Sequence, residues 1–414
     1  MTSDPPEGAL ATARDGPPPN RFAPPAPPNA PASGRLLGVD LARGVAVLGM
    51  YAAHVGPDPS TGGPVGHVME AAHGRSSALF ALLAGFSLVL ITGRSRPRRG
   101  RRGRQAVAKI LIRAAALLVA GTALTALDTP VDIILAYYGL TFVVALPLYR
   151  LAPRTLAIIA GAGALILPQI LYGIRVSAAG GAWAAAVVHH DPLARVSGTD
   201  GVLGLLCTGD YPVLSWVPFV IAGMAVARLD LTTAAVRTRL LLTGGALMAA
   251  GYGVSWLLLR LLPQARAAIS AVTDGASPSS AWWSDAVGDP TANTPAWLLV
   301  AAPHSETTPS VLGNTGVALV VVVCCCALVG RHRRLRALAA PVTAIGTMSL
   351  TAYVAHILVI RALGIEDVPG SPLWVLGCFA VIMMVFAMLW KRLFRRGPLE
   401  YLLNMATLPA TYIR

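Results

Sequence analysis

The chain has 414 residues, of which 55% are hydrophobic and only 13% are charged. Soluble domains carry about 25% charged residues, so this composition excludes an ordinary soluble protein and, with its long apolar stretches, indicates a membrane protein. The net charge of +14 does not indicate nucleic-acid binding, because the basic residues lie between apolar stretches rather than on a folded basic domain.

The chain opens on a polar, Pro/Ala-rich stretch, which predicts a disordered cytoplasmic tail over residues 1–34. No apolar core of a cleavable signal peptide lies in it, so the first apolar span is expected to serve as an uncleaved anchor. A polytopic domain is predicted over 35–402, followed by a cytoplasmic tail over 403–414. Its pattern predicts an all-α bundle of ten transmembrane helices, at about 36–56, 76–93, 110–127, 131–149, 155–172, 211–228, 240–260, 311–329, 341–361 and 372–390.

The basic residues orient these spans. With the N-terminus inside, most Lys and Arg fall on one side of the membrane, whereas seven of the eight histidines fall in or near the other half. This positive-inside bias predicts a multi-pass protein of the cell membrane with both termini in the cytoplasm. The basic residues of the predicted inner side are in the tail, in 94–109, at Arg150 and Arg154, and in 228–239, 331–336 and 391–414.

The first span contains Asp40, Arg43 and His54. Eleven residues make three helical turns and about 20°, so Arg43 and His54 share one face about 16 Å apart, and Asp40 is placed to pair with Arg43. A charge in a membrane helix costs on the order of 2.5–3.5 kcal/mol, and such residues usually face a bundle interior or a wet cavity. A structural alternative is that Asp40 and Arg43 anchor the helix by reaching the inner head groups.

His73 lies before the second span, with Glu70 three residues earlier and Arg75 two residues later. A carboxylate beside a histidine fixes its tautomer and stabilises the imidazolium, so this pair has the composition of a general base. The alternative is an interfacial His and Glu that face water at a helix start.

Other segments leave the choice between function and structure open. Asp210 and Tyr211 are equally consistent with a pocket mouth and with an interfacial aromatic belt. His356 is consistent with a functional or a satisfied structural histidine. The adjacent His304, Ser305 and Glu306 are not interpreted as a catalytic triad, because sequence neighbours seldom have triad geometry. The basic run 94–109 is interpreted as a topology determinant rather than a phosphate site. The five cysteines predict neither a disulfide nor a metal site.

Several segments together carry a family resemblance. The stretch RLLGVDLARGVAVLGM, followed by HGRSSALFALLAGFSL, resembles the N-terminal signature of heparan-alpha-glucosaminide N-acetyltransferase-like membrane proteins. The later segments YPVLSWVPFVIAGMAVARLDL, APHSETTPSVLGNTG, GTMSLTAYVAHIL and RRGPLEYLL are similar to the bacterial YeiB-like branch. The matches cover most of residues 35–402, and their order along the chain is more specific than any one of them.

The resemblance implies a transmembrane acyltransferase that takes an acetyl or other acyl group from cytoplasmic acyl-CoA to an extracytoplasmic hydroxyl or amine. His73 occupies the position of the family's catalytic histidine, although Gly74, Arg75 and Ser76 replace its usual Trp-Asn-Gly context.

The resemblance also implies a role for this histidine and for the polar residues near it. His73, oriented by Glu70, is expected to be general base or acyl carrier, and His54 to assist proton transfer. Arg75 is expected to hold the acyl oxyanion or an anionic acceptor, and Arg43, with Asp40, to shape the CoA side.

The expected partners are membrane lipids, acyl-CoA and a glycan or small-molecule acceptor. No nucleic acid and no metal are expected, and a homodimer is left open. Two alternatives remain on the sequence alone: a transporter or lipid flippase that uses the same polar residues, and a non-catalytic membrane scaffold.

Overall fold

A computed structural model describes residues 31–94, 96–273, 278–284 and 294–414. Within these ranges the chain is helical and contains no β-strand, which confirms the all-α prediction. The predicted tail lies outside the described residues except for 31–34, with which the first helix begins.

The described residues from 31 to 227 form ten α-helices. They are α1 (Pro31–Val55), α2 (Gly63–Ala72), α3 (Arg75–Thr92), α4 (Gly100–Thr125), α5 (Leu135–Ala145), α6 (Pro153–Ala179), α7 (Ala182–His190), α8 (Pro192–Ser197), α9 (Gly201–Leu203) and α10 (Val213–Ala227).

The described residues after 227 form nine more, several of them short. They are α11 (Ala234–Met248), α12 (Val254–Leu261), α13 (Pro263–Ser270), α14 (Thr308–Arg331), α15 (Arg333–Leu338), α16 (Ala340–Thr347), α17 (Ser349–Leu363), α18 (Leu373–Leu393) and α19 (Pro398–Ala406).

In the part of the chain that the structure describes, six helical segments are long and apolar enough to cross a bilayer, and eight are if each of two bent helix pairs counts as one span. The count of ten is not confirmed, and the cytoplasmic position of the termini stays a prediction. The two predicted spans outside this count are 36–56, which lies in α1, and 131–149, which contains the 11-residue α5. The bent pairs are Gly201–Thr208, in which a π-helical turn continues α9, with α10 (63°), and α16 with α17 (88°).

Helix α1 lies in the centre of the bundle. It packs against α3, α14 and α16, and α3 packs in turn against α10. Glycines allow two of these crossings to be very close: a Cβ on Gly346 would overlap the Asp40 carbonyl oxygen, and a Cβ on Gly85 would overlap the Val220 carbonyl oxygen. Small residues at such crossings let membrane helices approach backbone to backbone. The crossing at Gly346 therefore fixes the position of α1, which carries three of the six predicted site residues.

The bend between α16 and α17 is held by the C-terminal segment. Glu400 of α19 accepts hydrogen bonds from the backbone N–H groups of Leu350 (2.8 Å) and Thr351 (3.2 Å), and from the Thr351 hydroxyl (2.6 Å). The first N–H groups of a helix have no partner inside it, so a carboxylate here both satisfies them and complements the helix dipole. Helix α17 can therefore begin at a sharp bend inside the bundle.

Candidate active site

The predicted pair in the first half of α1 is formed. Arg43 Nη1 lies 2.7 Å from Asp40 Oδ1, one helical turn away. Arg43 Nη2 donates to the Ser87 hydroxyl of α3 at 2.8 Å. Both side chains of the ion pair are about one-fifth exposed, so the guanidinium is oriented from two sides but is still accessible.

Arg43 lines a cavity of about 560 Å³. Two more guanidinium groups, from Arg113 of α4 and from Arg396, lie in its wall, and we call it the arginine cavity. Glu400 and Ser87 also line it, and the rest of the wall is largely apolar. Guanidinium groups are the side chains best suited to bind phosphate oxygens. The arginine cavity therefore has groups that can bind phosphates and apolar walls that can hold the hydrocarbon part of the same ligand.

The other half of α1 holds a pair of histidines. His54 Nδ1 lies 2.9 Å from His356 Nε2 of α17, so one imidazole donates and the other accepts, and each fixes the tautomer of its partner. Tyr51, one turn before His54, donates to the Ala352 carbonyl at 2.8 Å, and its ring lies 4.6 Å from that of His356. These contacts fix α17 beside α1.

Two more histidines belong to the same region. His356 is in direct contact with His54, and His73 and His304 lie near enough that a charge on either would act on His54. His73 caps the C-terminal end of α2 and is 9% exposed, and the next residue, Gly74, has φ +61°. Gly74 lies directly against the backbone of Pro303 and His304. We call His54, His73, His304 and His356 the histidine cluster.

Glu70 and Arg75, the predicted partners of His73, are both buried. Arg75 Nη1 donates to the Glu70 carbonyl at 2.8 Å, Nη2 donates to the Trp283 carbonyl, and the guanidinium lies 5.4 Å from the centre of the Tyr252 ring. The group is thus engaged by backbone oxygens and an aromatic face. These contacts hold the turn at His73, and the predicted contact of Arg75 with an acyl oxygen stays a prediction.

The segment that supplies His304 has an unusual backbone. His304 and Glu306 adopt φ values of +56° and +61°, which are uncommon for residues with a side chain and cluster at functional sites. The His304 ring lies 5.2 Å from the Tyr211 ring, in an edge-on contact.

Glu306 is the buried carboxyl behind this segment. Its Oε1 accepts from Trp216 Nε1 at 2.9 Å, and its Oε2 bonds to the Ser215 hydroxyl. Burial raises the pKa of Glu306 to about 8, and the nearby Arg175 charge opposes that rise. Ser215 Oγ also lies 3.2 Å from the Pro212 carbonyl. A hydroxyl has one proton, so this geometry suits a protonated Glu306 that donates to Ser215 while Ser215 donates to Pro212.

His304 lines a second cavity, of about 830 Å³, which we call the polar cavity. Asp132, Arg175 and Asp210 lie in its wall. Arg175 donates to the Cys207 and Gly209 carbonyls, at 3.0 Å each, and so holds the segment that carries Asp210. The sequence left two interpretations of Asp210 open, a pocket mouth and an interfacial belt, and its place in this wall supports the pocket mouth. The mixed charges of the wall suit a ligand rich in hydroxyl or amino groups.

The sequence therefore located the site residues of α1 and His73 better than the residues from later in the chain. Asp40, Arg43, His54 and His73 were singled out from it, and the structure brings the last two into one cluster. His304, His356 and Glu306 had no local signal that separated them from structural residues. Among the described residues, no group of three or more His, Cys, Asp and Glu has the geometry of a metal site.

Two family models match the chain. One described as "Heparan-alpha-glucosaminide N-acetyltransferase, catalytic" matches residues 35–252, more than half of the chain. Another, described as "Protein of unknown function (DUF418)", matches residues 291–409. The first region contains Arg43, His54 and His73, and the second contains His304 and His356. No curated protein matches the chain.

Proposed function

The chain belongs to the heparan-alpha-glucosaminide N-acetyltransferase catalytic family, and from this premise we propose that it transfers an acetyl or other acyl group from cytoplasmic acyl-CoA to an extracytoplasmic acceptor. The acceptor group is a hydroxyl or amine of a glycan or related molecule. The family and the apolar helices indicate a transmembrane acetyltransferase-like protein. The donor, the catalytic base and the acceptor are our proposal.

One observation carries this proposal: a single helix joins the two kinds of chemistry that such a reaction needs. Helix α1 contributes Arg43 to the arginine cavity and His54 to the histidine cluster. The two positions are about 16 Å apart along the axis. Anion binding and proton transfer are therefore separated in space but held in fixed relation.

The arginine cavity is the proposed donor site. Phosphates of CoA would bind Arg43, Arg113 and Arg396, and Asp40 would hold Arg43 in position. An aromatic row leads from this cavity toward the histidines, since Phe80 of its wall stacks on Tyr353 (6.4 Å) and Tyr353 contacts His356 (5.2 Å). The long pantetheine arm of CoA would follow this row with its thioester at the histidine cluster.

His73 is the proposed general base, with Glu70 as its orienting carboxyl. The acceptor oxygen or nitrogen attacks the thioester carbonyl carbon and gives its proton to the His73 imidazole. The new C–O or C–N bond forms, the C–S bond breaks, and the imidazolium returns the proton to the CoA thiolate. In the two-step variant, the imidazole first carries the acyl group itself. The His54–His356 pair would relay protons beside this group.

The test is acyl transfer by the purified protein with labelled acetyl-CoA. His73→Ala is expected to reduce turnover by about 10²–10⁴-fold, the contribution of a positioned general base. His67→Ala is the matched control, because His67 lies on the same short helix but is exposed, and it should keep wild-type turnover. If His73→Ala turned over acetyl-CoA at the wild-type rate, the assignment of His73 would be wrong.

A transporter is the second candidate, and the two bent helix pairs favour it. Broken helices form substrate sites in many secondary transporters. Substrate uptake by reconstituted vesicles without acetyl-CoA would support this function. Specific acetyl-CoA binding, abolished by removal of Arg43, would count against it.

A further inference from the structure

A third cavity reaches the histidine cluster, and it differs from the other two. It has a volume of about 560 Å³ and lies between α17 and α18, with Tyr51 of α1 and His356 in its wall. Ala355, Cys378 and Phe379 form part of the remaining wall, which is almost wholly apolar. We call it the crevice. Its size falls within the range of about 300–1,000 Å³ typical of small-molecule sites.

The rim of the crevice is apolar and faces outward. Leu363, Trp374 and Ile382, which line it, are 64%, 68% and 68% exposed. Both walls belong to helices of the segments that are apolar enough to cross a membrane. Exposed apolar side chains of this kind are stable where they meet hydrocarbon. The crevice is therefore open toward the acyl chains of a bilayer.

The length of the crevice matches one leaflet. Its lining extends from Thr351 to Leu363 on α17 and from Trp374 to Phe386 on α18. At 1.5 Å per residue each wall is about 18 Å long. The hydrocarbon core is about 30 Å thick, so half of it is about 15 Å. A single acyl chain from one leaflet would fill this length.

The deep side of the crevice contacts the proposed chemistry. Tyr51 and Thr351 use their hydroxyls elsewhere, as donors to the Ala352 carbonyl and to Glu400. His356, 2% exposed, links the crevice to His54 through the 2.9 Å contact. On the other side of the cluster, His304 opens onto the polar cavity. The histidine cluster thus has a hydrocarbon-lined space on one side and a polar space on the other.

We propose that the crevice binds the hydrocarbon chain of a lipid-linked acceptor, whose polar head group lies in the polar cavity with its reacting hydroxyl or amine at the histidine cluster. This inference rests on the proposed acyl transfer and names the substrate class: an amphiphile rather than a water-soluble sugar. The transfer step itself is the one given above, with the same bonds formed and broken.

Chain binding is tested first. The purified protein in phosphatidylcholine nanodiscs is given a glycolipid with a diazirine in its acyl chain, and crosslinked residues are mapped by mass spectrometry. Crosslinks are expected on the α17 and α18 crevice walls. Cys378→Trp should reduce them at least tenfold by filling the crevice, and Ala355→Phe should do so from the opposite wall. Val385→Trp is the control, since Val385 is 52% exposed on α18 and does not line the crevice.

Two results would overturn the proposal. One is labelling spread evenly over the outward-facing helices and unchanged by both filling variants, which would mean surrounding lipid only. The other is a Cys378–Cys378 crosslink between two copies with no lipid label, which would mean that a second copy covers the crevice.

Acyl transfer separates this inference from the function on which it rests. The wild type should acetylate the glycolipid at least tenfold better, in kcat/KM, than the same head group without its chain, and Cys378→Trp should remove that preference. Equal transfer to both forms would refute the crevice proposal and leave the proposed function intact. Crevice labelling without transfer to either form would support chain binding and refute the proposed function.

Discussion

The two halves of α1 form their sites in different ways. In the Arg43 half, the ion pair with Asp40 is made within one helical turn, and the third group, Ser87, comes from the neighbouring α3. In the His54 half, the histidines come from four separate segments: α1, the end of α2, the segment before α14, and α17. The first arrangement is nearly a property of helical spacing, whereas the second exists only after the bundle has assembled.

The two halves of α1 also differ in how regular the surrounding backbone is. Near Arg43, regular helices cross closely because Gly44 and Gly346 leave no side chain between them. Near His54, the backbone is irregular, with positive φ at Gly74, His304 and Glu306. Irregular backbone persists only where the surroundings over-determine it, and here buried Glu306 and Arg75 supply part of that constraint. The Arg43 half of α1 therefore provides rigidity, and the His54 half places the proposed chemistry.

The largest expected effect comes from opening the tight crossing. Gly346→Val places side-chain atoms where the Asp40 carbonyl lies, and relief requires that α1 and α16 separate. Overpacking usually costs about 1–3 kcal/mol, but only where the neighbouring atoms can shift. The Asp40 carbonyl belongs to the backbone of α1 and has little room to shift, so we expect loss of the folded protein or a melting temperature too low to measure in detergent. Gly377→Val, at a glycine with open space around it, should melt near the wild-type temperature. Equal melting of the two variants would contradict the crossing as the rigid half.

A smaller, selective effect is expected from Arg43→Leu. A hydrogen bond to a charged group contributes about 1.5–3 kcal/mol, so acetyl-CoA binding should weaken roughly 10–100-fold. Crosslinking of the lipid probe in the crevice should not change, since that site belongs to the other half. Equilibrium binding of labelled acetyl-CoA measures this, with the exposed Arg361→Leu as control. Loss of acetyl-CoA binding together with loss of lipid crosslinking would show that the two halves of α1 do not act separately.

The smallest effect is a pH dependence of stability that resides in Glu306. Burial raises its pKa from 4.5 to about 8, so between these values the folded state binds more protons than the unfolded state. The free energy of unfolding therefore falls as pH rises through this window and levels off above it. Melting curves from pH 5 to 9 should show the decline in the wild type and in the control Glu366→Gln, and a weaker one in Glu306→Gln. A flat wild-type profile would contradict the protonated carboxyl.

The sequence predicted much of the architecture. Eight of the ten predicted spans correspond to single or bent helices that are apolar enough to cross a bilayer. The two others, 36–56 in α1 and 131–149 around the short α5, stay predictions. The order of motifs gave the family, which the matched residues confirm. The assignments of His73, Glu70 and Arg75 to catalysis and of Arg43 and Asp40 to the donor stay predictions.

What the sequence determined by itself is local: the helical class, the apolar spans, and the pairing of Asp40 with Arg43, which follows from a fixed rise and twist per residue. Only the tertiary structure brought His356 to His54, 302 residues apart along the chain, and His304 to the same cluster. The reason is physical. A histidine in an apolar helix has the same local pattern whether it faces a neighbour's backbone or another imidazole, and the choice depends on which helices pack together.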